Sequence, residues 1–491
     1  MAAPTARSTV PRRRRPAALA LLVAAAGVLA ACQGGDPYAP GTYATTTQPP
    51  VATSPVRCAS APAVQPGQAG SADWTSYHDG PQRLGVGPAT PAAGTVRSLW
   101  GVYLDGWTFT QPLVYQGLVL VATEHNSVYA LDAATGCVAW QTSLGPSFDA
   151  KVLKCGNIPE LGVTGTPVLD PATLTLYVAS YQPPGAFQLF ALDLAGGSVR
   201  WRRPIDLPGG DLPSQLQRPA LTLANGRVYV SFGGRAGSCG SWHGYVVGIP
   251  SDGRGTQDTF RSAGVKGGSI WAPAGPLVLA NGDLLVATGE GASTRELDGG
   301  NSVVRLSPAL QRVDFFAPAD WARLTGSDSD LGSTGPTLLA GDRVFQVGKE
   351  GVGYVLDLDH LGGVGGQLGM AKLAGHGSCY SIGATTYRAP YVYVPCDHGM
   401  KAVDTRTSTP KVAWTAPDFR SGSPIIAGGR LWNFDFEGGY LWGMDPADGR
   451  VIDKIPVGPA PDGNHFLSPS ASAGRLYVPD GSRLVALRFS G

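Results

Sequence analysis

The stretch Val128-Tyr129-Ala130-Leu131-Asp132-Ala133-Ala134-Thr135-Gly136-Cys137-Val138-Ala139-Trp140 reads as two short strands joined by an Asp-to-Gly turn. Alternating apolar side chains give each strand a buried face, Asp132 can accept hydrogen bonds from turn amides, and Gly136 can adopt positive φ. The pattern recurs as Ala191-Leu192-Asp193, Gly197 and Trp201, and again as Ala402-Val403-Asp404 with Trp414 after a two-residue insertion. A further copy keeps Asp445 and Gly449 but carries Asp453 at the Trp position.

A second signal frames these hairpins. Pro112, Pro167, Pro219, Pro276, Pro336, Thr385, Pro424 and Pro469 each precede a loop and an apolar strand, at spacings of 39 to 60 residues. That is the period of a four-stranded propeller blade. After Pro469 only Leu476-Tyr477-Val478 and Leu484-Val485-Ala486-Leu487 follow, one strand short of a blade. Leu99-Trp100-Gly101-Val102-Tyr103-Leu104, ahead of the first full blade, supplies a strand of the missing kind. The expectation is an all-β, eight-bladed β-propeller of four-stranded antiparallel blades, closed by the N-terminal strand pairing in the last blade and leaving no open seam.

Composition agrees with that reading. Gly 69 and Pro 41 are abundant and charged residues are only 15%, which favours turns and short strands and excludes coiled coil, collagen and polytopic membrane architectures. Without residues 1–31, which hold Arg7 and Arg12 to Arg15, 32 basic residues face 36 acidic ones, a formal net of −4. A nucleic-acid partner is therefore not expected.

Arg12 to Arg15 followed by the uncharged run Ala17 to Leu29 read as a signal peptide, too short for a spanning helix. Leu29-Ala30-Ala31-Cys32 resembles the lipobox of bacterial lipoproteins, which implies lipidation of Cys32 and an extracytoplasmic, membrane-anchored location. Residues 32–72 are rich in Pro and Thr with few large aliphatic side chains, and are expected to form a disordered tether, leaving 73–491 as the propeller. Of seven cysteines, six remain for an oxidising compartment. Cys379 with Cys396, Cys137 with Cys155, and Cys58 with Cys239 is one pairing among the 15 that six cysteines allow.

The Ala130 to Trp140 and Ala191 to Trp201 repeats resemble the tryptophan-docking repeat of pyrroloquinoline quinone (PQQ) enzymes, and Trp74-Thr75-Ser76-Tyr77-His78-Asp79 resembles their leading segment. The chain is thus similar to PQQ-binding-like β-propeller repeat lipoproteins, within a superfamily of quinoprotein alcohol dehydrogenases and a non-enzymatic outer-membrane assembly propeller. The resemblance implies a set of candidate site residues. Trp271, in Gly267-Gly268-Ser269-Ile270-Trp271-Ala272-Pro273, matches the quinone-stacking platform. Glu290 matches a calcium ligand, Asp298 falls near the catalytic base and second metal ligand, and Lys349 matches the quinone contact. Carboxylate oxygens for a hard cation, an indole for a planar ring and a carboxylate base form a coherent set. Glu290, Asp298 and Glu350 could alternatively hold calcium alone, and His243, His376, His398 and His465 could meet on one face.

Two parts depart from the family. No vicinal cysteine pair occurs, and Ser231 to Cys239, expected to carry a first Glu ligand, has no carboxylate. HExxH, Walker, GxSxG and EF-hand patterns are also missing. The leading expectation is therefore a non-catalytic binding or scaffolding propeller contacting an envelope protein, peptide or cell-wall ligand. The alternative is a PQQ- and Ca-dependent dehydrogenase oxidising an alcohol.

Overall fold

The computed structural model describes residues 52–87, 94–153, 155–262, 264–373, 378–458 and 465–490. The signal segment, Cys32 and the first part of the expected tether lie outside the described residues.

Eight antiparallel sheets form the eight blades of the propeller. Blade one runs Leu113–Tyr115, Leu118–Ala122, Ser127–Asp132 and Val138–Ser143 in sequence order from axis to rim. The quoted hairpin forms as expected. Asp132 Oδ1 accepts from the amides of Ala134 at 3.0 Å and Thr135 at 2.7 Å, and Gly136 has φ +74°. Its register slips by one residue between Ala130/Leu131, so that Ala130 faces Trp140 while Leu131 faces Val138. The same bulge recurs at Ala191/Leu192, Ala402/Val403 and Gly443/Met444. An extra residue there turns the rim strand and aims the side chain at the Trp position sideways toward the next blade.

That aim produces the contact between blades. Trp140 Nε1 donates to Leu194 O at 2.8 Å, and its ring lies against Gly197 so closely that a Cβ there would come within 2.5 Å. Trp100 packs the same way on Gly136, Trp201 on Gly253 and Trp414 on Gly449. In the seventh blade Asp453 instead pairs with Arg430, a partly buried ion pair where the indole is missing.

The ring closes as expected. Thr95–Tyr103 pairs antiparallel with Arg483–Ser490 from Thr95↔Ser490 to Tyr103↔Arg483, completing the blade of Ser470–Ser472 and Arg475–Asp480. The core around this seam includes Trp100, Val102, Leu476, Val485 and Leu487. The longest interval between inner strands holds one α-helix, Trp321–Gly326, and a short 3-10 turn, Leu331–Ser333. No helix of the described residues is long and apolar enough to cross a membrane.

Two expectations are corrected. The tether does not extend to residue 72: Ala52–Thr53 adds to the rim of the last blade in parallel with Gly101 and Val102. Cys58 N donates to Val138 O at 3.0 Å and Gly67 N to Pro171 O at 3.1 Å. Backbone pairing to a strand edge needs no large aliphatic side chains, so composition misses it. The disulfides are Cys58–Cys137, Cys155–Cys239 and Cys379–Cys396. Only the last matches the sequence pairing: it spans 17 residues, whereas the others span 79 and 84 and depend on which blade each loop crosses.

The leading segment crosses the axis. Trp74 exchanges backbone bonds with Val114 in blade one, and Thr75 O accepts from Leu169 in blade two. Pro81 O accepts from Val278 in blade four, Leu84 O from Tyr387 in blade six and Gly85 O from Ile426 in blade seven. Arg83 donates to Leu221 O and Thr222 Oγ1 in blade three, both at 2.8 Å, and His78 Nε2 meets Ser468 Oγ at 3.1 Å in blade eight. Tyr77 is buried among Ala220, Ala274 and Ala384, so this segment plugs the axial channel.

Candidate functional site

Where the chain enters each inner strand, the preceding residues face one end of the channel, and a cavity of about 370 Å³ opens there. Arg218 precedes Pro219, Trp271 precedes Pro273, Asp330 precedes Pro336, Ile382 precedes Thr385 and Phe466 precedes Pro469; all five line it. Arg235, Glu290 and Lys349 join from loops at the far ends of the second strands.

Local backbone explains why Trp271 and Glu290 meet. Gly268 N donates to Glu290 O at 2.7 Å and Gly289 N to Ser269 O at 2.8 Å, with Gly267 at φ +100° and Gly268 at +64°. A Cβ on Gly289 would lie 2.9 Å from Asp330 Oδ1 and 3.1 Å from Trp271 Nε1, so the close approach of all three elements requires a glycine there.

Three of the four quinone-type candidates reach the cavity. Trp271 is half-buried, with the Lys349 ammonium 5.6 Å from its ring centre. Lys349 Nζ pairs with Asp330 Oδ2 at 2.9 Å and Asp328 Oδ1 at 3.0 Å. Although burial opposes its charge, Asp330 and Asp328 hold its pKa above the usual lysine range. Glu290 is pushed up to about 9, first by burial and then by its hydrogen bond and repulsion with Asp330. Burial works against the Asp330 charge, but the hydrogen bond from Glu290 and the ammonium of Lys349 hold its carboxyl below the usual range. At neutral pH the two carboxyls therefore share one proton.

Asp298 is the exception. Its Oδ2 accepts from Ala292 N at 2.7 Å and Ser293 N at 3.2 Å, so it ties down its own loop and does not line the cavity. Glu350 is likewise outside, paired with Arg323, so neither joins Glu290 in a metal set. The carboxylates that do are Asp328 and Asp330, whose oxygens lie with one of Glu290 within 4.8 Å. The four histidines do not gather among the described residues. His465 lines the cavity, His398 meets Asp418 on the surface at 3.1 Å, His243 is buried elsewhere, and His376 lies outside the described residues.

Sequence reading missed Asp328, Asp330, Arg218 and Arg235. The signal that finds four of the lining residues is position: Arg218, Trp271, Asp330 and Phe466 all stand one to six residues before an inner-strand proline.

The carboxylate set fits a hard cation, but the residues do not make a quinone slot. A sandwiched planar ring needs two parallel walls about 7 Å apart, twice a carbon contact distance. Phe466 stands perpendicular to Trp271, at 88° and 6.0 Å. The segment Ser231 to Cys239 brings no carboxylate, and within it Ser231 is buried with its Oγ unpartnered.

Comparison with known proteins agrees with the fold. Residues 91–243 match the family model described as outer membrane protein assembly factor BamB. The chain superposes on a quinohemoprotein alcohol dehydrogenase from Comamonas testosteroni with TM-score 0.65 at 16% identity, over 86% of this chain and 81% of that one. BamB from Moraxella catarrhalis gives TM-score 0.55 at 15% identity, over 80% of this chain and 100% of that one. A europium-containing methanol dehydrogenase gives 0.65 at 12%, over 85% and 98%. No curated protein sequence matches. Identities this low speak to fold alone. Repeat, ring and matches together define the fold: the chain is an eight-bladed β-propeller, similar over residues 91–243 to the outer membrane assembly factor model.

Proposed function

We propose that this protein is a non-catalytic binding or scaffolding propeller at the bacterial cell envelope. In this reading residues 1–31 are a lipoprotein signal and Cys32 carries the lipid. Its partner is an envelope protein, peptide or cell-wall ligand received at the cavity mouth. The name of the matching family, an outer membrane assembly factor, supports an envelope role without naming a partner.

One observation carries the reading. The cavity gathers aromatic rings and charged groups as a recognition surface does, while Asp298 is absent from it and the ring opposite Trp271 stands on edge. A binding site needs the first and is indifferent to the second.

The rival reading, a PQQ- and Ca-dependent alcohol dehydrogenase, draws support from Glu290, Asp328 and Asp330 as oxygen donors beside Trp271. With Asp298 outside the cavity, Asp330 would be the base. Purified protein incubated with PQQ and Ca²⁺ separates the two. The expected result is no saturable dye-linked alcohol oxidation. Oxidation abolished by Asp330→Asn would overturn the binding reading.

A further inference from the structure

The cavity contains two buried cations that no described acidic side chain pairs with. Arg218 is 8% exposed and Arg235 4%, and neither is in an ion pair among the described residues. Arg218 lies over the Phe466 ring at 4.1 Å and near Phe109 at 5.8 Å. Arg235 gives Nε–H to Pro213 O at 2.7 Å and sits 5.3 Å from the Tyr181 ring. Ring contacts engage the flat face of a guanidinium and leave its in-plane N–H donors to find other acceptors. Arg218 Nη1 and Arg235 Nη2 are both shut off from solvent without an acceptor.

None of the described acids pairs with either arginine. Asp328 and Asp330 both pair with Lys349 instead. Glu124, whose field reaches Arg218, is itself pushed up to about 7 by burial, so its charge is incomplete at neutral pH. Burial, then repulsion from Arg218 and Lys349, lowers His465 to about 4. Around these groups Leu216, Trp271, Tyr380, Ile382 and Phe466 give the cavity apolar walls. A buried, uncompensated cation is costly, and an incoming anion removes the cost.

We propose that the cavity binds a small ligand bearing an oxyanion, a carboxylate or phosphate on an apolar body, through Arg218 and Arg235. Neither arginine belongs to the set by which the chain resembles quinoproteins. The inference rests on the binding reading above and names its ligand chemistry. The anion meets in-plane N–H donors of the two guanidiniums, with charge-assisted hydrogen bonds as its main contacts. The aromatic walls take the body.

The full-length protein is titrated with phenyl phosphate, benzoate and, as the uncharged match, benzyl alcohol, following melting temperature and calorimetric heat at fixed ionic strength. Saturable binding of at least one anion, with at least tenfold weaker binding of the alcohol, is expected. Preference for phenyl phosphate or for benzoate decides between the two anion sources. Arg218→Met and Arg235→Gln are each expected to weaken the preferred anion at least tenfold. Arg235→Gln keeps a neutral donor for Pro213 O and serves if Arg218→Met does not fold. Equal binding of alcohol and anions, or full affinity in folded Arg235→Gln, overturns the inference. Absent anion binding without PQQ-dependent oxidation sinks only this inference. Oxidation in the same preparation sinks the binding reading beneath it.

Discussion

At the ring's seam, Trp100 of the N-terminal strand lies on Gly136 of blade one. The Trp100 indole is 9% exposed, donates from Nε1 to Ala133 O at 3.2 Å and packs against Tyr477 at 6.0 Å. A Cβ on Gly136 would come within 2.6 Å of its ring, and no other atom is among the three nearest. Gly136 also has φ +74°. Gly136→Ala should therefore cost two separable amounts. Left-handed backbone costs an L-residue about 1–2 kcal/mol wherever it occurs. Displacing a packed ring adds about 1–3 kcal/mol. Trp100→Ala alone should cost about 3–5 kcal/mol. In the double variant the ring is gone, so the alanine at 136 should cost only its backbone share. The expected coupling is about 1–3 kcal/mol, with the double variant more stable than the sum of the singles predicts. Urea unfolding followed by circular dichroism of the four proteins measures it. Additive costs would refute steric docking of Trp100 on Gly136 as the contact that holds the seam.

Two further outcomes follow from buried polar groups. Glu290 has its pKa raised from 4.5 to about 9 in the folded protein, so the native state binds its proton more tightly than the unfolded chain. The resulting stability is complete below pH 4.5 and is lost as pH rises toward 9. Melting temperature from pH 5 to 9 should fall less steeply in Glu290→Gln than in wild type, and parallel curves would contradict the shared proton with Asp330. Arg83, 5% exposed, donates to Tyr77 O at 2.9 Å and to Leu221 O and Thr222 Oγ1. Arg83→Met leaves three acceptors short, at about 1–3 kcal/mol for each left unsatisfied. It should destabilise the plug enough for limited proteolysis to cut within residues 73–87, and unchanged resistance to cleavage would count against the plug.

Much of the fold was legible because its signals are local. Asp132, Gly136 and Trp140 act within one hairpin, and their spacing alone states that the hairpin turns tightly and presents an aromatic side chain. The orphan strand at Trp100 was legible by counting, since the last blade lacks one strand and an open sheet edge is unfavourable. The candidate site was half legible. Trp271, Glu290 and Lys349 sit in turns anchored to blade strands, so position along the repeat carries over to position in space. Asp298 does not, because its loop folds back and uses the carboxylate to bind its own amides at Ala292 and Ser293. The helix Trp321–Gly326 then leads to Asp328 and Asp330, which take the place expected of Asp298.

By itself, the sequence determined the blade, the count of eight and the closing strand, because strand periodicity and turn chemistry are written in neighbouring residues. Only the tertiary structure decided that Arg218 and Arg235 line one cavity with Trp271, that Lys349 is held by Asp328 and Asp330, and that Tyr77 and Arg83 seal the axis. These residues come from the leading segment and from different blades, up to hundreds of positions apart. Charge balance and packing at the centre of a ring depend on every blade together, and no window of the chain records that sum.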